Sequence, residues 1–534
     1  MQEGVLVSGT AWTLVPIVLT IICVFLTKRI LLALGVGIAA SAFLLANFDL
    51  YGTFRITVDS FFDMFFAEGE MLGFLNMWNI SILIFLFCLG IITSFVVLSG
   101  GTKALTASIV KRVKSRKGVQ GITLIIGILL IIDDYFCAIV AGYAGRTLSK
   151  GFSVSRARMS YIVDSVSAPT CIAVPISSWA TAIMGNIAVV YASVGVEGNV
   201  LLDFIRMVPY HFYVLAAVAL VLITITFEFN IFSMKRYERD AIAGNDSSAD
   251  EVEDETISSQ ASHGTVLDFV LPIVVLVFVT LGAMIVTGFV ESSQEAFAEH
   301  GVVYAILDNL DLPLSLLIGG FSGVATTLLM TLRHLARGYV TKSQFGKALL
   351  AGLSSMVGAN TILIFAWTVA GLIGNLGVGD FVAEILLGSG IPGSYIPFLM
   401  FVSAALMAFA IGTSWGTFGI VLPIAGAIAF AVDINLLLPT MSAVLSGAVF
   451  GDHASPISDT TVLASAGAGC KVLSHFESQL PYAMLAALLS CVGYLLFGIS
   501  GGSLLVGYIG FIIAIAAVVV FARYRQKRSI AAPA

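Results

Sequence analysis

Apolar residues fill this chain in continuous runs of about 20 residues, the length a helix needs to cross a bilayer. They lie near Ala11 to Thr27, Ile30 to Ala46, Asn79 to Leu98, Val208 to Phe229, Val266 to Phe289, Leu312 to Leu332, Leu480 to Ile499 and Ser503 to Phe521. The runs lack the period-two alternation of a membrane barrel strand, and they close in basic or glycine-rich punctuation. A helix satisfies its own backbone hydrogen bonds in lipid, so the pattern predicts an all-α polytopic membrane protein.

Basic residues orient the runs, because cytoplasmic loops carry the excess of lysine and arginine. Lys28 and Arg29, the cluster Lys103, Lys111, Arg112, Lys114, Arg116 and Lys117, then Lys235, Arg236 and Arg239, then Arg333, Arg337, Lys342 and Lys347 mark cytoplasmic ends. Arg523, Arg525, Lys527 and Arg528 put the C-terminus on the same side. The loop from Glu291 to Asp311 adds Glu295, Glu299 and Asp308 with no Lys or Arg, so it faces outside. Near the middle, Gly244 to Gly264 gathers Asp246, Asp250, Glu251, Glu253, Asp254 and Glu255 among serines, the composition of a solvated, disordered connector. The chain thus divides into an N-terminal membrane half (1–229), an acidic cytoplasmic linker (230–265) and a C-terminal membrane half (266–534). Residues 48–76, rich in Phe with Arg55, Asp59, Asp63, Glu68 and Glu70, fit either a surface helix or an amphipathic lid.

Three regions depart from ordinary spans. Between Gly118 and Arg146 the apolar run is broken by Asp133 and Asp134, with basic residues on both flanks. If both flanks are cytoplasmic the segment enters and returns as a hairpin; otherwise it is one tilted helix. Ser160 to Ala192 and Tyr395 to Gly469 hold prolines, glycines and hydroxyl residues inside apolar sequence and read as broken helices. Asp164 to Pro169 (Asp-Ser-Val-Ser-Ala-Pro) can be laid over Gly451 to Pro456 (Gly-Asp-His-Ala-Ser-Pro), and Ser177 to Thr181 echoes Thr413 to Thr417, although the order of the two elements differs between the halves. Paired interrupted helices are the sequence mark of secondary transporters, whose site lies where the breaks meet.

Composition narrows the function. With 58% apolar and 11% charged residues and a mean hydropathy of +1.02, the chain is no soluble domain. Its net charge of −6 leaves no basic footprint for nucleic acid. The cysteines at 23, 88, 137, 171, 470 and 491 lie apart, mostly in apolar runs, so they suggest neither disulfides nor a metal motif. The Gly346-Lys347 pair is followed by Ala348 and has Thr341 where a phosphate-cradling loop needs glycine, so an ATP-driven pump is not indicated.

The breaks carry the chemistry. A proline within a helix strips the carbonyl four residues earlier of its partner. Pro456 would free the carbonyl of Asp452, Pro169 that of Ser165, Pro175 that of Cys171 and Pro423 that of Gly419. Such oxygens suit a hard cation such as sodium. Gly451 to Thr461 (Gly-Asp-His-Ala-Ser-Pro-Ile-Ser-Asp-Thr-Thr) packs Asp452, Asp459, His453, Ser455, Ser458 and Thr460 between apolar runs. Each aspartate costs about 2.5 to 3.5 kcal/mol at mid-membrane, which calls for a function. A buried carboxyl holds a proton or supports a sodium ion but disfavours both at once, which is the chemistry of exchange. Asp133 and Asp134 form a second candidate, either a coupled proton relay or a solvated hairpin tip paired with Arg146 or Arg156. Asp164, with Ser165 and Ser167, can join either set or bridge to an arginine. His453 is a candidate pH sensor or proton shuttle. Asn360 is a candidate substrate ligand or interhelical glue. Trp179 and Trp415 read as packing beside the breaks, and Gln479, ahead of Pro481, as a residue at a helix start.

Gly451 to Thr461 resembles the GDxxSPxSDTT signature of the NhaC family of sodium/proton antiporters, and Thr413-Ser414-Trp415-Gly416-Thr417 resembles its TSWGT element. Asp133-Asp134-Tyr135, Tyr161 to Ser165 and Pro175 to Trp179 are similar to the longer members. The likeness spans about residues 80–490. It implies two inverted repeats with re-entrant hairpins, a scaffold with a mobile transport unit, and often a homodimer. The residues of this chain that would hold cation and proton are Asp452, Asp459, Ser455, Ser458, Thr460 and Thr413, with Asp133, Asp134, Asp164, Ser165 and Ser167 in the opposing half; Asp452, Asp459 and Ser455 would ligate sodium.

The expected activity is exchange of sodium for protons across the cytoplasmic membrane, with no enzymatic reaction and no cofactor besides the transported ions. The competing reading is sodium- or proton-coupled movement of an amino acid or small carboxylate, since relatives in that family carry such solutes.

Overall fold

The computed structural model describes residues 10–531 apart from 28, 67–74, 111–112, 150, 197, 251–262, 379–380, 382–383, 386–387, 389, 391 and 457. The regular elements among the described residues are all helices, and an isolated antiparallel bridge joins Ala249 to Cys470. Among the described residues, ten helices are long and apolar enough to cross a membrane. Six answer to the expected runs: Met77–Leu98, Phe212–Ile242, Val266–Glu291, Leu312–Ala336, Val472–Ile499 and Leu504–Lys527. The first two expected runs form helices Val15–Thr27 and Ile30–Leu45, of 13 and 16 residues.

The remaining four, Lys342–Asn375, Gly393–Ile411, Ser414–Val432 and Ile434–His453, were hidden by small and polar residues inside apolar sequence. Lys342–Asn375 shows why. Its Gly352 faces Gly90 on Met77–Leu98 so closely that a Cβ at Gly352 would stand 2.7 Å from the Gly90 carbonyl. Without a hydrophobic force between helices in lipid, such backbone approach is what holds them together, and it demands glycine where an apolar run would have leucine. Met77–Leu98, Val266–Glu291, Leu312–Ala336 and Lys342–Asn375 pack into one group, with Ile30–Leu45 against its edge.

The other group is built from short pieces. Arg116–Leu129 and Asp134–Ser149 pack on each other as a hairpin turning at 130–133. Helices of this length run about 21 to 24 Å, short of a ~30 Å hydrocarbon layer. The hairpin reading of 118–146 therefore holds, and the single tilted helix does not. Next comes a broken helix, Arg156–Asp164 and Ser178–Val194, interrupted by the single turn Ala168–Cys171. The C-terminal half repeats the order: a second hairpin, Ile396–Ile411 and Ser414–Val432, then a second broken helix, Leu437–His453 and Asp459–Ala468. This corrects the overlay of motifs. Thr413 to Thr417 lies at a hairpin turn whereas Ser177 to Thr181 opens half of a broken helix, so the two do not occupy equivalent places; Asp133-Asp134 is the element that matches Thr413-Ser414.

Glycine again sets the contacts. Asp134–Ser149 crosses Asp459–Ala468 where a Cβ on Gly142 would meet the Gly467 backbone at 2.7 Å, and one on Gly467 would press on the Ala138 carbonyl.

Two further regions take shape outside the breaks. Leu50–Asp63 is a helix with Leu50, Tyr51, Phe54 and Phe62 exposed and Arg55 paired to Asp59, while Glu68 and Glu70 lie outside the described residues. The connector read as disordered, 244–264, is ordered over 244–250, and a helix leads into it. Phe232–Ile242 is a helix whose Glu238 accepts from the Ser155 amide at 3.0 Å and hydroxyl at 2.6 Å and pairs with Arg116. Asp246 accepts from the Arg156 amide at 2.7 Å, and the Asp250 amide donates to the Gly469 carbonyl at 2.9 Å. Acidic side chains there cap the N-terminus of Arg156–Asp164 instead of repelling one another in solvent. Glu251, Glu253, Asp254 and Glu255 lie outside the described residues.

Candidate functional site

Each break ends on a helix N-terminus with a side chain in place to cap it. Asp133 Oδ1 accepts from the Phe136 amide, Ser177 Oγ from Ala180 and Ser458 Oγ from Thr461. At the second hairpin Gly412, at φ +80°, closes Ile396–Ile411, a left-handed turn that glycine takes without strain. Ser414–Val432 then starts at once. The turns face one another: the Ser178 amide donates to the Ile132 carbonyl at 2.8 Å, and Ser165 Oγ lies 3.2 Å from His453 Nε2. Helix N-termini gathered at one place favour negative charge, and the severed C-terminal ends supply carbonyls.

One cluster surrounds Asp452, which is buried at 2% exposure. Its Oδ2 accepts from the Ser414 amide at 3.1 Å and the Ser414 hydroxyl at 2.7 Å, joining the second broken helix to the second hairpin. Asp459 Oδ2 accepts from the Tyr135 hydroxyl at 2.5 Å, joining it to the first hairpin, and Oδ1 accepts from the Thr460 amide. Asp134 is buried within electrostatic reach of Asp133, Asp459 and Asp452, and the Trp179 indole lies near it without completing a hydrogen bond. Three buried oxygens of these segments, Asp452 Oδ1, Ser455 Oγ and Asp134 Oδ2, have no hydrogen-bond partner among the described residues. Ser458 Oγ and Thr460 Oγ1 pair at 2.9 Å. Thr413 contributes backbone only among the bonds formed at this turn, its carbonyl accepting from Thr417, and the neighbouring Ser414 makes the contact to Asp452.

A second cluster surrounds Asp164. Its Oδ2 accepts from Gln479 Nε2 at 2.6 Å, lies 3.1 Å from His475 Nε2, and is approached by the Thr461 hydroxyl at 3.5 Å. The same Gln479 nitrogen donates to the His453 carbonyl at 2.7 Å. His453 Nδ1 sits 2.7 Å from the Tyr213 hydroxyl. Ser167 Oγ donates to the Asp164 carbonyl, a local cap.

Several expectations are corrected here. Gln479 does not start a helix, because Val472–Ile499 begins seven residues earlier and runs through Pro481. Asp164 meets a histidine and an amide in place of an arginine. Asp133 and Asp134 are buried at 2% and 1%, not wetted, and neither pairs with Arg146 or Arg156. The carbonyl of Asp452 is taken by the Ser455 amide at 2.9 Å and that of Cys171 by Ser177 Oγ at 2.8 Å, so neither is left bare by its proline. Pro423 lies inside an unbroken helix. Asn360 stands apart from both clusters: its amide donates to the Leu83 carbonyl at 3.2 Å, the interhelical contact. Trp179 and Trp415 pack with ring centroids 5.5 Å apart beside the breaks.

The sequence alone does not single out Ser414, Tyr135, His475 and Tyr213 as individual ligands. Ser414 and Tyr135 lie inside recognisable motifs; His475 and Tyr213 carry no motif and become visible only when distant segments are brought together.

Among the described residues no group of three His, Cys, Asp or Glu side chains is arranged to hold a metal ion. The arrangement suits an alkali cation, which takes carboxylate, hydroxyl and carbonyl oxygen without such a cluster. It also suits a proton, since Asp452 and Asp459 each keep a hydroxyl donor on one oxygen while Asp452 Oδ1 is left without a partner among the described residues.

A model of the Na+/H+ antiporter family matches residues 170–499. An uncharacterized protein of Haemophilus influenzae is 36% identical over 503 residues, 93% of each chain. An uncharacterized Na(+)/H(+) antiporter of the same organism is 34% identical over 132 residues, 22% of this chain and 28% of its own. The malate-2H(+)/Na(+)-lactate antiporter of Bacillus subtilis is 33% identical over 199 residues, 35% and 40% of the two chains. In fold, the chain resembles the Alcanivorax borkumensis YdaH transporter, with a TM-score of 0.50 and 17% identity over 88% of this chain and 90% of that one.

Proposed function

Since this chain belongs to the Na+/H+ antiporter family, we propose that it exchanges sodium for protons across the cytoplasmic membrane. The observation that supports this reading is the pair of buried oxygens Asp452 Oδ1 and Ser455 Oγ, on residues at the second break, with no hydrogen-bond partner among the described residues. In low dielectric a bare carboxylate is costly, and either a proton or a sodium ion relieves that cost. Asp452 would take one or the other, with Ser455 adding a hydroxyl oxygen and Asp459 and Asp134 adding charge nearby. Ser414 holds the second carboxylate oxygen still, so that Oδ1 stays turned toward the ion. Thr460, Ser458 and Thr413 would shape the wall of this site rather than share its charge. The group of Met77–Leu98, Val266–Glu291, Leu312–Ala336 and Lys342–Asn375 would act as scaffold and the hairpins with their broken helices as the moving part.

The name of the Bacillus subtilis relative, with sodium, protons and two carboxylates, favours a second reading in which an organic acid travels with the ions. Purified protein in sealed vesicles with an internal pH dye separates the two. Sodium pulses that collapse an imposed proton gradient with no organic solute support ion exchange. Ion movement only when a carboxylate or amino acid is added replaces it with solute exchange. No response to either discards both.

A further inference from the structure

His475 is fully buried beside Asp164, and its Nδ1 has no hydrogen-bond partner among the described residues. Its Nε2 faces Asp164 Oδ2, so that nitrogen carries the hydrogen and donates. In this tautomer the pair bears one uncompensated negative charge in a dry interior, an expensive state. A proton added to the lone pair of Nδ1 makes an imidazolium and neutralises the pair without moving a heavy atom.

His453, the histidine that the sequence singles out, is placed differently. Both its ring nitrogens lie against hydroxyls, Ser165 at 3.2 Å and Tyr213 at 2.7 Å, and either hydroxyl can turn to serve as donor or acceptor. His475 has one nitrogen engaged and one open.

We infer that His475 and Asp164 form a second buried proton-binding site, distinct from the Asp452 cation site and coupled to it through Gln479. This rests on the ion-exchange reading. The coupling is geometric: both hydrogens of the Gln479 amide are spent, one on Asp164 Oδ2 and one on the His453 carbonyl, the residue next to Asp452. A change in charge on the pair alters the pull on that amide, and through it on the last turn of Leu437–His453.

The other ionisable groups facing the pair have partners of their own, Asp452 through one of its two oxygens and Arg158 through one of its three guanidinium nitrogens. On its own helix Glu477 is turned to Arg236 and Tyr237, and the Tyr482 hydroxyl donates to the Phe229 carbonyl. On Arg156–Asp164, Arg158 donates to Asn230 and the Tyr161 ring packs tilted against that of Tyr482. From Phe232–Ile242, Glu238 is held by Arg116 and Ser155. The second broken helix contributes Asp459, held by Tyr135, and Asp452, held by Ser414; Phe212–Phe227 contributes Tyr213.

The test uses His475→Gln in the full chain, a substitution that keeps an N–H toward Asp164 and cannot take a proton. Full-length protein in lipid, labelled with 15N-histidine, is titrated from about pH 5 to about pH 9. The resonance lost in His475→Gln is expected to pass between neutral imidazole and imidazolium within that range. A resonance that keeps one protonation state throughout overturns the proposal. In the vesicle assay, wild-type exchange is expected to change by up to about tenfold per pH unit along one limb, and the variant by less than about twofold over the same limb. A variant with the wild-type profile also overturns it. If wild-type vesicles show no sodium-driven proton flux, the exchange reading fails while the histidine titration still decides the pair. Thermal melting of the variant in detergent identifies misfolding, in which case the wild-type titration, with the signal assigned by selective labelling, decides between the two outcomes.

Discussion

Ser165 Oγ and His453 Nε2 stand 3.2 Å apart although 288 residues separate them in the chain. This contact closes the gap between the two broken helices, so neither half of the sequence builds the site alone. A second bond across the same gap, from Gln479 to Asp164 and His453, makes the closure a network. Changes on either side are expected to be felt on the other.

Asp452→Asn should reduce exchange by at least about a hundredfold, because the amide keeps the shape but cannot alternate between proton and cation. Ser414→Ala should act more mildly. It removes one of two hydrogen bonds to a buried carboxylate, about 1 to 3 kcal/mol, and leaves the backbone amide in place. The apparent affinity for sodium in vesicles should fall by about tenfold, and an unchanged value would remove Ser414 from the site.

Tyr135→Phe should lower sodium-driven exchange by about tenfold, because it removes a hydrogen bond to a buried carboxylate that joins the first hairpin to the second broken helix. Initial rates of sodium-driven flux, measured beside wild type, check this. A wild-type rate would remove Tyr135 from the site.

Gly352→Val should destabilise the protein by more than about 2 kcal/mol, since its Cβ would press on the Gly90 backbone. Gly358→Val, on the same helix with nothing within 4 Å of its Cβ, is the comparison and should melt close to wild type. Detergent melting curves of the two variants decide it.

Glu238→Ala should cost about 3 kcal/mol and loosen the segment that follows Phe232–Ile242, because Arg116 and the Ser155 amide lose a shared partner that is 4% exposed. Limited proteolysis near residues 243–250 should quicken. Equal cleavage rates would mean that the docking of this segment does not depend on Glu238.

The membrane class and most spans were legible in the sequence because an apolar run of spanning length has few other uses. The acidic motif at 451–461 was legible for the opposite reason: carboxylates between such runs are costly enough to need a purpose. Lys342–Asn375 was not, since the glycines that let it touch Met77–Leu98 dilute its apolar signal. His475 and Gln479 were not, because each lies on the buried face of an ordinary helix and gains meaning only from Asp164, more than 300 positions away. Proline chemistry pointed to the right places and the wrong atoms: at Asp452 and Cys171 a nearby amide or hydroxyl had already taken the released carbonyl.

The crossing of Gly142 and Gly467 has a mechanical corollary. With backbone on backbone there is no cushion of side chain to shear, so Asp134–Ser149 and Asp459–Ala468 must ride together like two welded rods. Any rocking that lifts the tip bearing Tyr135 carries its partner Asp459 along, and the hinge for such a movement has to be sought elsewhere, in the peptide links at either end of these rods.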